Sequence, residues 1–140
     1  MSFTPYLFFT GDCRAAMERY HEIFGGDLQV LTGADTPPDA TGNEGPAMPP
    51  DLVMHAALVM GNGGLLLASD DPTTDDPGPK QGFRVNYSAA DAGDAQRAFD
   101  ALAEGGSVEL PLGETFFSPA FGMCTDRFGI PWMIGVMAPG

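Results

Sequence analysis

Residues 11–26 read GDCRAAMERYHEIFGG, and residues 91–106 read DAGDAQRAFDALAEGG. In each stretch an aspartate precedes apolar residues spaced three or four positions apart, and a Gly-Gly pair follows them. Aspartate is a good helix N-cap, the spacing fits the period of an α-helix, and glycine adopts the left-handed conformation that ends one. We therefore predict two similar helices of about three turns each, the first with Asp12 as its N-cap.

Segments rich in aliphatic and aromatic residues flank both helices, and glycines, prolines and aspartates separate them. They are residues 3–9, 28–31, 53–60, 65–69, 83–87, 108–112, 123–125 and 131–137. The order β-α-β-β-β therefore occurs twice. This repeat predicts a single domain over residues 1–140, made of two modules at about residues 1–69 and 83–140 that are joined by a Pro- and Asp-rich linker at about 70–82.

The repeat also predicts the fold class, which is α+β. A four-stranded sheet covered by one helix leaves its other face open, so the module must pair with a copy of itself. Two such sheets set edge to edge would form a U-shaped mixed sheet with the helices outside. Its concave face is where we expect a small-molecule ligand, among apolar side chains with a few polar ones.

The charge of the chain is strongly one-sided. Asp and Glu number 19 against 6 Lys and Arg, giving a formal net charge of −13. Nucleic acids and anionic membranes need Lys and Arg to replace their counterions, so we expect neither as a partner. No segment approaches the ~20 apolar residues of a membrane span, and residues 1–13 lack the basic region of a signal peptide. The expected location is the cytoplasm.

The two cysteines, Cys13 and Cys124, lie far apart in the sequence and form no C-x-x-C motif. They therefore predict no zinc site. Cys13 falls in the first turn of the first helix, where a thiol's pKa can be lowered. A packed, reduced thiol is nevertheless the favoured interpretation.

Motifs along nearly the whole chain resemble the vicinal-oxygen-chelate superfamily, which contains glyoxalases, bleomycin-resistance proteins and dioxygenases. The tail is the most specific part and is similar to the PhnB-like branch, whose members are often labelled demethylubiquinone methyltransferases. The matching segments are residues 11–26, MHAAL at 54–58, LASD at 67–70, LAEGG at 102–106, ETFF at 114–117, FGM at 121–123 and DRFGIPWMI at 126–134. Phe117 departs from the branch, which usually has Trp there, so the pocket shape should differ.

The resemblance implies a homodimer, and in the PhnB-like branch the chains commonly exchange strands. It also implies a divalent metal held by four His- or Glu-type ligands on the first and last strands of each module. Those positions fall near Pro5, Ala68, residues 83–85 and Met133. None of them supplies an imidazole, carboxylate or thiolate, so we expect no metal at the usual site.

The methyltransferase label implies a cofactor of the S-adenosylmethionine type, and the sequence does not favour one. Such a cofactor sits over a Gly-rich turn between a strand and a helix. Here GNGG at residues 61–64 joins two strands, as in a β-hairpin, and no nucleotide-binding fingerprint occurs elsewhere. We expect no cofactor.

His55 and Glu114 are the candidate catalytic residues. His55 lies in the middle of a strand with Met54 and Ala56 on the opposite face, so its imidazole could act in the concave face as an acid, a base or a ligand donor. The PhnB-like branch also carries a histidine in this M-H-A context. The alternatives are a buried histidine bonded to the backbone and, for Glu114, an exposed acid at a strand end.

The candidate ligand-binding residues are mainly apolar and aromatic. They are Leu7, Phe9, His55, Arg84, Phe116, Phe117 and Trp132. Most aromatic residues between 116 and 132 should lie in the core or a dimer interface, with Phe116 or Phe117 the best candidates for the pocket wall. Arg84 would offer a cation to an anionic ligand, or else pair with one of the many acids. Asp126 is predicted to accept backbone N–H bonds within a turn.

Three functions remain open from the sequence. The favoured one is a metal-free protein that binds a small molecule. The second is an enzyme of the lyase or dioxygenase type, using either a divalent metal with unusual ligands that include His55, or His55 and Glu114 as acid and base. The third is a structural or regulatory dimer without catalysis.

Overall fold

The computed structural model describes residues 3–35, 49–61, 63–73 and 80–136. The chain divides into two compact units, Met1–Pro77 and Gly78–Gly140. Residues 74–79 of the linker predicted at 70–82 lie outside the described ranges. Neither described helix is long and apolar enough to cross a membrane.

The first unit is a four-stranded sheet with one α-helix. Its elements are β1 (Tyr6–Phe9), α1 (Cys13–Phe24), β2 (Asp27–Thr32), a 3-10 turn (Gly33–Asp35), β3 (Val53–Val59) and β4 (Leu65–Asp70). The strand order is β1-β4-β3-β2, in which only the β1–β4 pair is parallel. β1 begins after Pro5, whose missing N–H suits a strand start.

The second unit repeats this plan. Its elements are β5 (Val85–Ala89), α2 (Ala92–Ala103), β6 (Ser107–Gly113), β7 (Phe121–Thr125) and β8 (Pro131–Val136). The strand order is β5-β8-β7-β6. Again only one pair is parallel, namely the edge strand β5 with its neighbour β8. The prediction of two βαβββ modules in an α+β fold is therefore confirmed.

In each unit one face of the sheet packs against the helix and forms the core. The strands alternate accordingly, as in β1, where Leu7 and Phe9 are buried while Tyr6 and Phe8 are exposed. Helix α1 buries the five side chains Cys13, Ala16, Met17, Tyr20 and Ile23. Helix α2 buries Ala95, Ala98, Phe99 and Leu102. The opposite face of each sheet, which we call its open face, carries no helix among the described residues of its unit.

The Gly-Gly pairs end both helices and also allow a close backbone approach. A Cβ atom on Gly26 would lie 2.6 Å from the carbonyl oxygen of Val59, and one on Gly106 would overlap that of Thr125. Gly26 has a φ of +81°, which is the left-handed region. The second glycine of each pair is thus required by the strand that passes beside it.

The N-terminus of α1 is capped from the far end of the unit. Asp12 occupies the N-cap position as predicted, but among the described residues its side chain makes no capping hydrogen bond. The buried carboxylate of Asp70 accepts the N–H groups of Gly11 (2.8 Å) and Cys13 (3.1 Å) instead. Its other oxygen accepts the N–H of Val53 at 2.9 Å. The capping role predicted for Asp12 therefore belongs to Asp70.

Candidate functional site

The open face of the first sheet is apolar. Register places Tyr6 beside Leu67, and Leu31 opposite His55, on this face. Its exposed apolar side chains are Tyr6, Phe8, Leu31, Val59 and Leu65. A surface of this kind on a small domain is typical of a contact site for a ligand or another protein.

His55 lies on this open face and is half-buried. Its ring centroid is 6.3 Å from that of Tyr6, with the two rings tilted by 42°. Within the described ranges no residue forms a hydrogen bond with the imidazole. The backbone hydrogen bond considered for His55 as an alternative is therefore not found there.

Leu7 and Phe9, predicted to bind ligand, lie in the core. They are 3% and 2% exposed and face α1. A ligand on the open face would meet Tyr6 and Phe8, their neighbours along β1, because successive side chains of a strand point to opposite faces.

The second sheet carries a cavity of about 210 Å³ on its open face. Register places Asn86 beside Met133, and Ser88 beside Gly135, so these residues share one face. Phe121 lies opposite Gly135 and joins them there. The lining consists of Asn86, Ser88, Phe117, Ser118, Phe121, Gly135 and Val136. It therefore combines an aromatic wall with a polar one.

The aromatic wall comes from the segment between β6 and β7. The rings of Phe117 and Phe121 meet edge to face at a centroid distance of 5.0 Å, and Phe116 meets Phe117 similarly at 5.1 Å. Phe117 lines the cavity, whereas Phe116 is fully exposed and is not part of the lining. Of the two candidates for the pocket wall, the geometry therefore favours Phe117.

The polar wall comes from β5 and from Ser118. The Ser118 hydroxyl is held by backbone groups, lying 2.7 Å from the Ala120 carbonyl oxygen and 2.8 Å from that of Val136. Asn86 and Ser88 are less constrained, since the amide nitrogen of Asn86 donates to the Ser88 hydroxyl at a long 3.4 Å. An amide and a hydroxyl with this freedom can each give and accept a hydrogen bond.

Arg84 lies across the same open face. Its Nη1 donates to the carboxylate of Glu109 (3.0 Å) and to the carbonyl oxygens of Trp132 (3.2 Å) and Cys124 (3.3 Å). Glu109 also accepts the hydroxyl of Thr125 at 2.7 Å. The Thr125 bond, and then the one from Arg84, hold the pKa of Glu109 below its usual value. The pairing of Arg84 with an acid, one of its two predicted roles, is thus present.

Trp132 and Asp126 are structural. Trp132 is 2% exposed, and its indole nitrogen donates to Asp126 at 2.8 Å, so the ligand contact predicted for Trp132 is not available in this position. Asp126 accepts the N–H groups of Phe128 (2.9 Å) and Ile130 (3.0 Å), as its turn position predicted. Glu114, the second catalytic candidate, is exposed just beyond the end of β6.

Both cysteine thiols are buried and free. Burial of the thiol is the main reason that the pKa of Cys13 is raised to about 12, and the negative charge of the nearby Asp70 is the second. Burial is also the main reason that the pKa of Cys124 is raised to about 11, and the negative charge of Glu109 is the second. Neither is a reactive thiolate at neutral pH, in agreement with the prediction of packed, reduced thiols.

The comparison with known proteins places this geometry in a family. The model for the Glyoxalase/Bleomycin resistance protein/Dioxygenase superfamily matches residues 2–134. The chain therefore belongs to this superfamily, which confirms the resemblance seen in its motifs.

Individual relatives match over nearly the full length. The structure of protein PA1353 from Pseudomonas aeruginosa is 40% identical, covers 98% of each chain and has a TM-score of 0.83. Protein YjdN of Escherichia coli K12 is 29% identical over 143 residues, which are 98% of this chain and 96% of YjdN. A Bacillus cereus PhnB protein, labelled a 3-demethylubiquinone-9 3-methyltransferase, is 22% identical with a TM-score of 0.71, covering 97% of this chain and 99% of its own. That last likeness shows the fold alone.

The metal site implied by the superfamily does not fit the residues present. Ala68 is fully buried on the face toward α1, and Met133 offers only a thioether. At residues 83–85 the group that reaches over the open face is the guanidinium of Arg84, which would repel a divalent cation. Among the described residues, no three His, Cys, Asp or Glu side chains come together as a metal site would need.

Proposed function

We propose that this protein binds a small organic molecule without using the superfamily's usual metal site. The observation that carries the proposal is the cavity of about 210 Å³ on the second sheet. It joins apolar rings to a small number of hydrogen-bonding groups, which is the composition of a ligand pocket.

The pocket suits a ligand with a flat apolar part and a nearby polar group. A ring placed against Phe117 and Phe121 would extend their edge-to-face stack, an arrangement that aromatic pairs prefer. A donor or acceptor on that ring would reach the Asn86 amide or the Ser88 hydroxyl, which are bonded only weakly to each other. Binding would therefore replace one long hydrogen bond with better ones.

Acetanilide is a suitable first probe because it joins one aromatic ring to an amide. We expect millimolar binding, seen as shifts of the backbone amides of Asn86, Ser88 and Phe121 in ¹H–¹⁵N NMR spectra. Phe117→Ala should weaken binding about ten-fold, which corresponds to about 1.4 kcal/mol for a lost aromatic contact.

Phe83→Ala is the matched control for this experiment. Phe83 is 49% exposed and Phe117 is 47% exposed, but Phe83 does not line the cavity. It should leave the acetanilide affinity unchanged. Equal loss in both variants, or shifts confined to residues outside the second sheet, would contradict the proposal.

We also propose that the protein is a homodimer. The support is the number of large apolar side chains left in water, among them Phe3 at 105% and Phe116 at 100% exposure. Light scattering at micromolar concentration should give about twice the chain mass of 14.7 kDa. A mass of one chain would rule the dimer out.

A further inference from the structure

The guanidinium of Arg84 reaches the two central strands of the second sheet, near the start of β8 and the end of β7. It bonds the carbonyl oxygens of Trp132 in β8 and Cys124 in β7, the two central strands. Its bonded partner Glu109 also accepts the hydroxyl of Thr125, whose side chain shares the open face with Met123 and Met133. A guanidinium, paired with the carboxylate of Glu109, is therefore fixed on the face that carries the cavity.

The guanidinium lies beside the two metal-ligand positions that the resemblance to the superfamily implies for this unit. Of the implied metal positions in this unit, Met133 directly follows Trp132, whose carbonyl oxygen the guanidinium bonds. The other is residues 83–85, which contain Arg84 itself. The chain thus lacks metal ligands at both positions and has a built-in cation there instead.

Part of the guanidinium is still available to bind. All of its assigned bonds are made by Nη1, and its side chain is 26% exposed. Within the described residues, no acceptor is assigned to the three N–H groups on Nε and Nη2. A guanidinium edge of this kind binds a carboxylate through two parallel hydrogen bonds.

We propose that Arg84 replaces the metal as the positive centre of this site, and that the ligand is therefore an aryl compound with a carboxylate. The proposal rests on the cavity being the ligand site. The distance between the two parts of the ligand follows from β7. The carbonyl oxygen of Cys124 accepts a hydrogen bond from Arg84, and Cys124 lies three residues from Phe121. At about 3.3 Å per residue, ring and carboxylate should be roughly 10 Å apart.

The test uses a matched pair of probes, 6-phenylhexanoate and its uncharged analogue 6-phenylhexanamide, titrated into the ¹⁵N-labelled protein. We expect the acid to bind at least about ten-fold more tightly than the amide in low salt, with the preference shrinking as NaCl is added. Arg84→Gln should abolish the preference by lowering the affinity for the acid to that for the amide.

Three further variants make the result specific. Arg127→Gln removes an exposed arginine outside the cavity lining and should keep the full preference for the acid. Arg84→Lys keeps the charge but loses the planar fork, so it should retain only part of the preference. The double variant Arg84→Gln/Glu109→Gln removes the unpaired carboxylate that the single variant leaves, and it should also bind both probes equally.

The outcomes separate this inference from the proposed function. Equal binding of acid and amide to the unaltered protein would overturn the role of Arg84 while leaving the cavity as a ligand site. An acid preference that survives in folded Arg84→Gln protein would overturn it too. Shifts from neither probe would overturn both proposals.

Discussion

Two buried aspartates each hold separate parts of the chain together. Asp70 and Asp126 are 3% and 5% exposed, and each accepts three N–H groups. A buried carboxylate is tolerated because such bonds replace the water that it loses. Removing one oxygen acceptor therefore leaves a buried donor without a partner.

Asp70→Asn should destabilise the protein by about 1–3 kcal/mol, the cost of an unsatisfied buried group. If the side-chain oxygen of the new asparagine still accepts the N–H groups of Gly11 and Cys13, its NH₂ group must face the N–H of Val53. Two hydrogen-bond donors then face each other, and neither has an acceptor. Urea unfolding followed by circular dichroism measures the change. The control Asp51→Asn, at an exposed position, should stay within about 0.5 kcal/mol of the unaltered protein. Equal stability of the two variants would contradict the role of Asp70.

At the residue scale the sequence predicted local contacts better than distant ones. The turn bonds of Asp126 were predicted because donor and acceptor are neighbours in the chain. The capping of α1 by Asp70 was not, because the partners are 57 and 59 residues apart. For β1, the sequence FTPYLFF offers apolar residues on both faces, so it could not decide whether Leu7 and Phe9 or Tyr6 and Phe8 would face the core.

At the element scale the prediction from the sequence was largely right. The two helices, the eight strands and their order follow from hydrophobic spacing, turn residues and the repeated Gly-Gly pair. Of the cavity, only the aromatic wall was predicted, because Phe117 was named as a candidate for it. Its polar wall was missed although VNYSA at residues 85–89 alternates apolar and polar side chains, a pattern that indicates one buried and one open face.

Gly106→Ala tests the close approach between the end of α2 and β7. The added methyl group would overlap the carbonyl oxygen of Thr125, which is rigid backbone, so we expect a loss of at least about 2 kcal/mol in the free energy of unfolding. Chemical denaturation measures it. Gly113→Ala is the control, because its added Cβ would meet no described atom within 4 Å other than those of its own chain neighbours. A Gly106→Ala protein as stable as this control would show that the strand can move away.

For the whole molecule, two buried thiols and one half-buried tyrosine with raised pKa values predict alkaline unfolding. Burial, then the bond to Asp94, raises the pKa of Tyr87 to about 12, while Cys13 and Cys124 rise to about 12 and 11. In the unfolded chain these groups ionise near 9.0 or 10.0. Their contribution to stability is therefore complete below about pH 9 and is lost as the pH rises through the folded values.

The urea midpoint should accordingly fall as the pH rises above about 9, and the fall should be shallower in a Cys13→Ala/Cys124→Ala/Tyr87→Phe variant. The triple variant will also be less stable at neutral pH, so the slope against pH is the quantity to compare. Identical slopes in the two proteins would contradict the assignment to these groups.

The net charge of −13 predicts that salt stabilises the folded chain, because screening weakens its self-repulsion. Screening also weakens ion pairs such as Arg97–Asp94, but exposed pairs are worth less than about 1 kcal/mol each. NaCl should raise the melting temperature, and Glu18→Lys, at an exposed position on α1, should raise it at low salt more than at high salt. A melting temperature independent of NaCl would argue against net repulsion.

The long-range cap of α1 has a consequence for protein synthesis. The chain leaves the ribosome from its N-terminus at about 5–20 residues per second, so Asp70 follows Cys13, 57 residues earlier, by roughly 3–11 s. Until then the amides of Gly11 and Cys13 lack their carboxylate, and β1 lacks its neighbour β4. A single late residue thus supplies the cap of α1 and the N–H acceptor for the start of β3. The first module can close around Asp70 before α2 has left the ribosome.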